Sequence, residues 1–209
     1  MIRTLVFDLG NVLVYFSHRK MCAQIGALCN RSSESIDDVL FQSDLQANFE
    51  RGRVTEDQFH QQLEQSVGQR MDKGDLLQAC SEIFEINLSI LPVLDTLMVR
   101  GYRLVLLSNV CVTHFEYVQN HFDVLNRFDE YVVSYQIGAV KPEPEIFEAI
   151  LHAIKCDPNE CFYTDDVAEY VHTGLSYGLQ AEVFCNTDTL IHQLGEHRIL
   201  LDSDADMVN

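Results

Sequence analysis

Three aspartates, one serine and one lysine are of the types that could move a phosphoryl group. Asp8 follows one apolar run, Ser108 ends a second, and Asp165 and Asp166 follow a third. An aspartate carboxylate can take up a phosphoryl group as a nucleophile, and neighbouring carboxylates form a hard-oxygen site that suits Mg²⁺. A serine hydroxyl and a lysine such as Lys141 can hold and neutralise phosphate oxygens. These residue types indicate Mg²⁺-dependent phosphoryl transfer.

Each of these residues also has an ordinary structural role open to it. Asp8 is followed by a glycine and an asparagine that favour a turn, and Ser108-Asn109 or Asp165-Asp166 could cap a helix. Lys141 could be a solvated loop lysine. Four such coincidences at one place in a fold are much less probable than any one of them, so the question becomes whether the surrounding elements bring the four segments together.

Short apolar runs are the elements that must position these side chains. Residues 5–7, 102–107, 130–134, 161–164 and 181–185 read as strands, and amphipathic helical segments separate most of them. Such alternation predicts a parallel sheet with helices on both faces. The carboxyl ends of parallel strands open on the same edge, where these sheets bind ligands. We therefore expect an α/β fold in which the four polar segments converge.

Residues 16–87 have a different pattern, with helices and no convincing strand. Thr55 and Gln58 have the spacing of a capping box, and Val54 and Phe59 have the spacing of a hydrophobic staple across it. Amphipathic faces then follow one another as far as Phe84. The segment is predicted to be an insert of about four helices packed on one another.

The composition limits the partners. The 209 residues carry 14 basic and 32 acidic side chains, for a net charge of −18. Such a field repels nucleic acids and anionic membranes, so we expect neither as a partner, and a phosphorylated substrate would need a local cation or metal. Seven cysteines without a CxxC spacing indicate free thiols in a reducing compartment. With no leader pattern and no apolar run near ~18 residues, we expect a cytoplasmic protein.

Four motifs carry a resemblance to the haloacid dehalogenase superfamily of phosphatases. They are FDLGNVL at 7–13, LLSN at 106–109, VKPEPEIF at 140–147 and YTDD at 163–166. The likeness is greatest to small sugar-phosphate phosphatases with an Asp-Leu-Gly-Asn-Val opening, and residues 49–55 are similar to their cap loop. The resemblance implies a Rossmann-like catalytic core of residues 1–15 and 88–209, and a helical cap domain of residues 16–87.

The resemblance also implies a role for each site residue. Asp8 would be the nucleophile and a Mg²⁺ ligand, and the Gly10 carbonyl a second ligand. Lys141 would hold both phosphate and nucleophile. The remaining assignments are phosphate binding by Ser108 and Asn109, and metal binding by Asp165 and Asp166.

The opening motif departs from the family pattern, because most members have a second aspartate where this chain has Gly10. That aspartate acts as general acid and base, a contribution typically worth about 10²–10⁴ in rate. Either the leaving group needs little help, or His18, a cap residue or a water substitutes, or the protein is a phosphate-binding or regulatory module with little turnover. A dehalogenase is a weaker alternative, because that reaction uses an aspartate nucleophile without Mg²⁺, whereas Asp165 and Asp166 indicate a metal site.

The expected function is hydrolysis of a small phosphorylated metabolite, such as a sugar phosphate, through an aspartyl-phosphate. Cap-side residues are the ones most able to touch the rest of the substrate, although each is more commonly a solvated surface residue. They are His18, Arg19, Lys20, Arg51 and Arg53.

Overall fold

Seven strands form two sheets within residues 1–199, the part of the chain that the computed structural model describes. In chain order they are β1 (Thr4–Phe7), β2 (Val14–Phe16), β3 (Phe84–Ile86), β4 (Arg103–Ser108), β5 (Glu130–Val133), β6 (Cys161–Asp165) and β7 (Gln180–Val183). Five of them make a parallel sheet in the order β5-β4-β1-β6-β7. The predicted parallel α/β core is confirmed, with β1 at its centre.

The helical segment between β2 and β3 packs around its own apolar cluster. Its helices are α1 (His18–Cys29), α2 (Ser33–Asp37), α3 (Leu45–Glu50), α4 (Glu56–Val67) and α5 (Lys73–Ser81). Buried residues such as Met21, Phe49 and Leu63 form this cluster. The predicted capping box opens α4, because Thr55 Oγ1 accepts from Gln58 N and Gln58 Oε1 accepts from Thr55 N. With the short helices α2 and α3 included, the segment has the five α-helices named above, where about four helices were predicted.

The prediction that residues 16–87 contain no strand is wrong. Strands β2 and β3 pair antiparallel where the chain enters and leaves the helical segment, with Phe16 opposite Phe84. Each strand has only three residues, which is too short for an alternating pattern to stand out from the helices around it. The exact division between core and cap stays a prediction.

Helices cover both faces of the parallel sheet, as predicted. They are α6 (Leu91–Val99), α7 (Val112–His121), α8 (Ser134–Ile137), α9 (Pro144–Ala153), α10 (Ala168–Ser176) and α11 (Thr187–Glu196). Alternate side chains of β1 point to opposite faces. Leu5 and Phe7 pack in a cluster with α6, α7 and α11, whereas Val6 packs in a second cluster with α9 and α10. Because β1 is buried on both faces, its carboxyl end is fixed.

The ends of the elements differ little from those predicted. Strand β4 begins and ends one residue later than expected, and β7 ends two residues earlier. Residues 201–206 carry three aspartates, a composition that predicts fraying, and they lie outside the described residues. No helix within residues 1–199 has the length and hydropathy that a membrane span needs.

Candidate active site

The polar segments after β1, β4, β5 and β6 meet around one cavity at the carboxyl edge of the sheet. The backbone pairing of β1 with β6 continues to Asp8, whose N–H donates to Thr164 O at 3.1 Å. The cavity has a volume of about 220 Å³. The predicted site residues that line it are Asp8, Gly10, Ser108, Asn109, Lys141 and Asp166. The seven predicted site residues belong to four segments of the chain. Six of them line one cavity, and the seventh, the buried Asp165, contacts Lys141.

Lys141 is the buried cation of this cavity. Its Nζ donates to Asp8 Oδ1 and to Asp165 Oδ2, each at 2.7 Å, and to Leu107 O at 3.1 Å. It also lies 5.1 Å from the ring centroid of Tyr170. Burial alone would lower the pKa of Lys141, but the charges of Asp8 and Asp165 outweigh it and hold that pKa above its ordinary value. The lysine is therefore a permanent positive charge.

Asp8 has a pKa of about 7, well above the ordinary value. Burial is the largest cause, and the charge of Lys141 opposes it while that of Asp165 adds to it. Two carboxylates beside a single ammonium group leave a net negative charge in a buried site. The electrostatics therefore favour a further cation here.

The two aspartates after Tyr163 differ in their surroundings. Asp165 is fully buried, with Oδ2 accepting from Lys141 and the Tyr163 hydroxyl and Oδ1 accepting from Val167 N. Asp166 is half-buried at the cavity wall, and its Oδ2 accepts from Asn11 Nδ2 at 2.9 Å. Carboxylate oxygens of both lie within 4.8 Å of each other and of Asp8. Three such oxygens suit the hard-oxygen preference of Mg²⁺.

Ser108 and Asn109 follow β4 but differ in how their side chains are engaged. The buried Ser108 lines the cavity. The Asn109 amide is bonded at both ends, donating to Lys141 O at 3.1 Å and accepting from Lys141 N at 2.7 Å. Asn109 thus holds the backbone that carries Lys141, and phosphate binding by its side chain stays a prediction.

A side chain approaches Gly10 closely, although its backbone does not have a positive φ. In the turn after β1 it is Asn11 that takes a positive φ, 55°. A Cβ added at Gly10 would lie 2.8 Å from Phe16 Cε1. The Phe16 ring therefore fills the space into which a side chain at position 10 would extend.

The side of the cavity opposite the strand ends includes His18, Glu50 and Phe84 of the predicted cap, and His114 of the core helix α7. Of the five cap-side residues singled out from the sequence, only His18 lines the cavity, where it packs between Phe16 and Phe41. Arg51 instead pairs with Glu143 at 2.6 Å. The other three are exposed and do not line the cavity; they are Arg19, Lys20 and Arg53.

The sequence reasoning missed Glu50, His114 and Tyr170 as cavity residues. A signal existed for Glu50, because it lies in the segment 49–55 that resembles a family cap loop. His114 and Tyr170 lie within helices whose patterns indicate packing alone. Their positions depend on how helices from distant parts of the chain meet.

Comparison with known proteins agrees with this geometry. The family described as haloacid dehalogenase-like hydrolase matches residues 2–169. The D-ribitol-5-phosphate phosphatase of Bacteroides thetaiotaomicron is 28% identical over 190 residues, which are 86% of this chain and 90% of the relative.

Solved structures have the same fold. A predicted haloacid dehalogenase-like hydrolase from Porphyromonas gingivalis has a TM-score of 0.81 at 25% identity, covering 95% of this chain and 98% of that one. A family enzyme from Bacteroides thetaiotaomicron, solved with magnesium and inorganic phosphate, has a TM-score of 0.79 at 24% identity, covering 88% and 94%. The family match spans most of the sequence and includes all four polar segments, and the chain belongs to the haloacid dehalogenase-like hydrolases.

Proposed function

We propose that the protein is a Mg²⁺-dependent phosphatase that hydrolyses a small phosphorylated metabolite through an aspartyl-phosphate at Asp8. One observation carries this proposal. Lys141 Nζ lies 2.7 Å from both Asp8 and Asp165, with Asp166 beside them at the wall of the same cavity. This arrangement offers a carboxylate nucleophile, a fixed cation and a set of oxygen ligands in one place.

The metal would be held by Asp8, the Gly10 carbonyl and the paired aspartates. Asp166 is better placed for direct contact, because Asp165 has both carboxylate oxygens engaged by protein donors. When bound, Mg²⁺ would neutralise charge between the carboxylates and the phosphate. The fully buried Asp165 would orient Lys141 and stabilise the site from behind.

The phosphate would be held by the chain's own donors. Lys141 fixes Asp8 through Oδ1, and its positive charge would attract the phosphate although its three N–H groups are donated to Asp8, Asp165 and the Leu107 carbonyl. The Ser108 hydroxyl, which lines the cavity, offers a hydrogen-bond donor. Asp8 attacks phosphorus, the ester P–O bond breaks, and water later releases inorganic phosphate from Asp8. Asn109 supports this step by holding the Lys141 backbone.

Two observations support the proposed substrate class, namely the size of the cavity and the activity of a relative. A cavity of about 220 Å³ suits a small metabolite. A relative that aligns with 86% of this chain is a D-ribitol-5-phosphate phosphatase, which supports a sugar or sugar-alcohol phosphate as the substrate here.

The test is phosphate release from a panel of pentitol, pentose and hexose phosphates, with Mg²⁺ and with EDTA. We expect Mg²⁺-dependent hydrolysis of at least one compound and its loss in Asp8→Asn. Asp188→Asn serves as a matched control, because Asp188 is exposed on α11 and does not line the cavity. Full activity in Asp8→Asn would refute the proposal.

A second candidate is a phosphate-binding module with little turnover. The observation that favours it is the Phe16 ring in the space that an acid at position 10 would use. In that case no member of the panel is hydrolysed, although Mg²⁺ together with beryllium fluoride still raises the melting temperature of the wild-type protein and not of Asp8→Asn.

A further inference from the structure

The proposed reaction leaves one proton unassigned. When the ester bond breaks, an alkoxide leaving group needs a proton, and the attacking water later has to lose one. Gly10 has no side chain, and the adjacent space is filled by Phe16. A proton donor for a phosphatase reaction must therefore come from another wall of the cavity, and the following inference rests on the proposed function.

The histidines of the cavity are poor proton donors. Burial lowers the pKa of His114 to about 4 and also lowers the pKa of His18, so both rings are mostly neutral near pH 7. His114 Nε2–H is already donated to Cys80 O at 3.1 Å. Neutral imidazoles with depressed pKa values hold their remaining N–H proton too strongly to act as acids.

The other proton-bearing groups are also unsuited. Lys141 is held by two carboxylates and has a raised pKa. Burial raises the pKa of Tyr170 above that of a free tyrosine. Both groups would release a proton far above neutral pH, where a general acid is inefficient. Asp8 and Asp166 are already assigned to the nucleophile and the metal, so Glu50 remains among the titratable residues that line the cavity.

Glu50 has one carboxylate oxygen bound and one available. Its Oε1 accepts from Gln46 Nε2 at 2.9 Å, and its Oε2 has no hydrogen-bond partner among residues 1–199. Burial raises the pKa of Glu50, while Gln46 and Arg51 oppose the shift. The residue is half-buried and lines the same cavity as Asp8 and Gly10. Within residues 1–199, Glu50 thus offers an unpaired carboxylate oxygen at the cavity that Asp8 and Gly10 also line.

The backbone of Glu50 is fixed to the core beside the phosphate-binding loop. Val110 N donates to Ser134 Oγ at 2.9 Å, and Ser134 Oγ donates to Glu50 O at 2.6 Å. Val110 comes directly after Ser108-Asn109. A displacement of Glu50 relative to the phosphate site would break this chain of hydrogen bonds.

A second anchor lies on the other side of Glu50. Arg51 Nη2 contacts Glu143 Oε1 at 2.6 Å, and Glu143 Oε2 accepts from Val140 N at 2.9 Å, one residue before Lys141. A Cβ added to Gly52 would lie 2.1 Å from Tyr135 O, so the two backbones touch. Glu50 therefore sits at a rigid contact between α3 and the core.

We propose that Glu50 is the general acid and base that replaces the aspartate absent at position 10. As the ester P–O bond breaks and Asp8 takes up the phosphoryl group, the proton on Glu50 Oε2 passes to the departing alkoxide oxygen, which leaves as an alcohol. Glu50, now a carboxylate, then takes a proton from the water that attacks the aspartyl-phosphate. Hydrolysis returns Asp8 as a carboxylate and Glu50 as an acid.

The test compares leaving groups in Glu50→Gln, which preserves the shape of the side chain. One substrate is the sugar or sugar-alcohol phosphate that the wild-type enzyme hydrolyses best, starting with D-ribitol 5-phosphate; the other is para-nitrophenyl phosphate, whose phenolate departs without a proton. We measure kcat/KM, which reports the steps up to departure of the leaving group. The substitution should lower kcat/KM about 10²–10⁴-fold for the alkyl phosphate and less than about threefold for the aryl phosphate.

Glu82→Gln is the matched control. Glu82 accepts from Gln78 Nε2 at 2.6 Å, the same i, i+4 pairing as that of Gln46 and Glu50, but it is exposed and does not line the cavity. It should change neither value. A second readout is pH: for the alkyl phosphate the wild-type kcat/KM should decline on the alkaline side, and this decline should be absent in Glu50→Gln.

The outcomes separate this inference from the proposed function. Equal loss for both substrates in Glu50→Gln, or no loss, would overturn the role of Glu50 while leaving Mg²⁺- and Asp8-dependent hydrolysis intact. Hydrolysis of the aryl phosphate alone by the wild type would also overturn it. Absence of Mg²⁺-dependent hydrolysis of either substrate in the wild type would overturn the proposed function itself.

Discussion

The core and cap walls of the cavity are built in different ways. The core wall is charged, and its groups follow parallel strands: Asp8 after β1, Ser108 at the end of β4 and Asp165 at the end of β6. The cap wall is mainly aromatic, with Phe16 and Phe84 beside isolated titratable side chains. The five-stranded parallel sheet fixes the first wall, and the short β2–β3 pair together with helix packing fixes the second.

This difference indicates that the two walls would act on different parts of a substrate. Under the proposed function, the core wall would supply the nucleophile, the cation and the metal ligands that a phosphoryl group needs, and these needs are the same for every phosphate ester. The cap wall would face the part of the substrate that differs from one ester to another, including the leaving-group oxygen. Changes in the core wall should therefore affect all substrates, and changes in the cap wall should depend on the substrate.

Removal of the core cation should have the largest effect. Lys141→Met leaves Asp8 and Asp165 buried without their counter-charge, and removing one partner of a buried pair typically costs about 3–5 kcal/mol. Urea denaturation in EDTA measures this loss, and hydrolysis of every phosphate ester should fall below detection.

Lys73→Met is the control for that experiment. Lys73 also has two carboxylate partners, Asp57 at 2.6 Å and Glu56 at 3.8 Å, but the pair lies at the surface. Because exposed ion pairs contribute little, the stability should hardly change. Equal losses of unfolding free energy in Lys141→Met and Lys73→Met would mean that burial does not explain the contribution of Lys141 to stability.

The core wall was largely predictable from sequence because Asp8, Ser108 and Asp165 lie at the ends of buried strands. Apolar runs ending in Asp8 and Asp165 indicate strands, parallel strands share an edge, and the residue after each run must lie there. The side-chain partners were not predictable. Asn109 was assigned to phosphate, yet its amide holds the Lys141 backbone, and this pairing of residues 32 apart has no local pattern.

The cap wall was much less predictable. The spacing of apolar and capping residues predicts the helices and the Thr55 cap. It does not predict strands β2 and β3, because each has only three residues. The turn at Gly10-Asn11 was predicted, but the close approach of the Phe16 ring to Gly10 was not. That contact joins two segments by packing alone, and side-chain types do not encode which ring fills which space.

Where the core helix α7 meets the cap, through the contact of His114 with Cys80, the largest expected effect is a loss of stability in acid. Burial lowers the pKa of His114 to about 4, with a smaller contribution from His18. As the pH falls below the ordinary value of 6.5, the unfolded chain binds a proton that the folded protein does not. Stability is therefore full above about pH 6.5 and declines until about pH 4, by about 3 kcal/mol in total.

His114→Gln isolates this contribution. The glutamine amide can still donate to Cys80 O but does not titrate, so the stability of the variant should depend less on pH between 6.5 and 4. Urea denaturation of both proteins across this range gives the difference, in which the carboxylates common to both cancel. Parallel curves would contradict the assignment of a neutral buried His114.

An aspartate introduced at position 10 should destabilise the protein for a steric reason. In Gly10→Asp, the new Cβ would lie 2.8 Å from Phe16 Cε1. Overpacking of this kind typically costs about 1–3 kcal/mol of stability. Phe16→Ala removes the obstacle. The double variant should therefore be less destabilised than the sum of the two single variants, as a double-mutant cycle of unfolding free energies would show. Additive losses would mean that the ring moves aside freely.

The smallest expected effect concerns the ion pair that fixes the cap loop. Arg51 and Glu143 are both partly exposed, so Arg51→Gln or Glu143→Gln should lower stability by less than about 1 kcal/mol.

If the pair positions Glu50, either substitution should lower kcat/KM for an alkyl phosphate about fivefold, which corresponds to about 1 kcal/mol, and should leave the value for an aryl phosphate unchanged. The double variant should lose no more kcat/KM for the alkyl phosphate than either single variant, because the two side chains act through one contact. A loss shared equally by alkyl and aryl phosphates would instead place the effect in the core wall, through the bond from Val140 N to Glu143 beside Lys141.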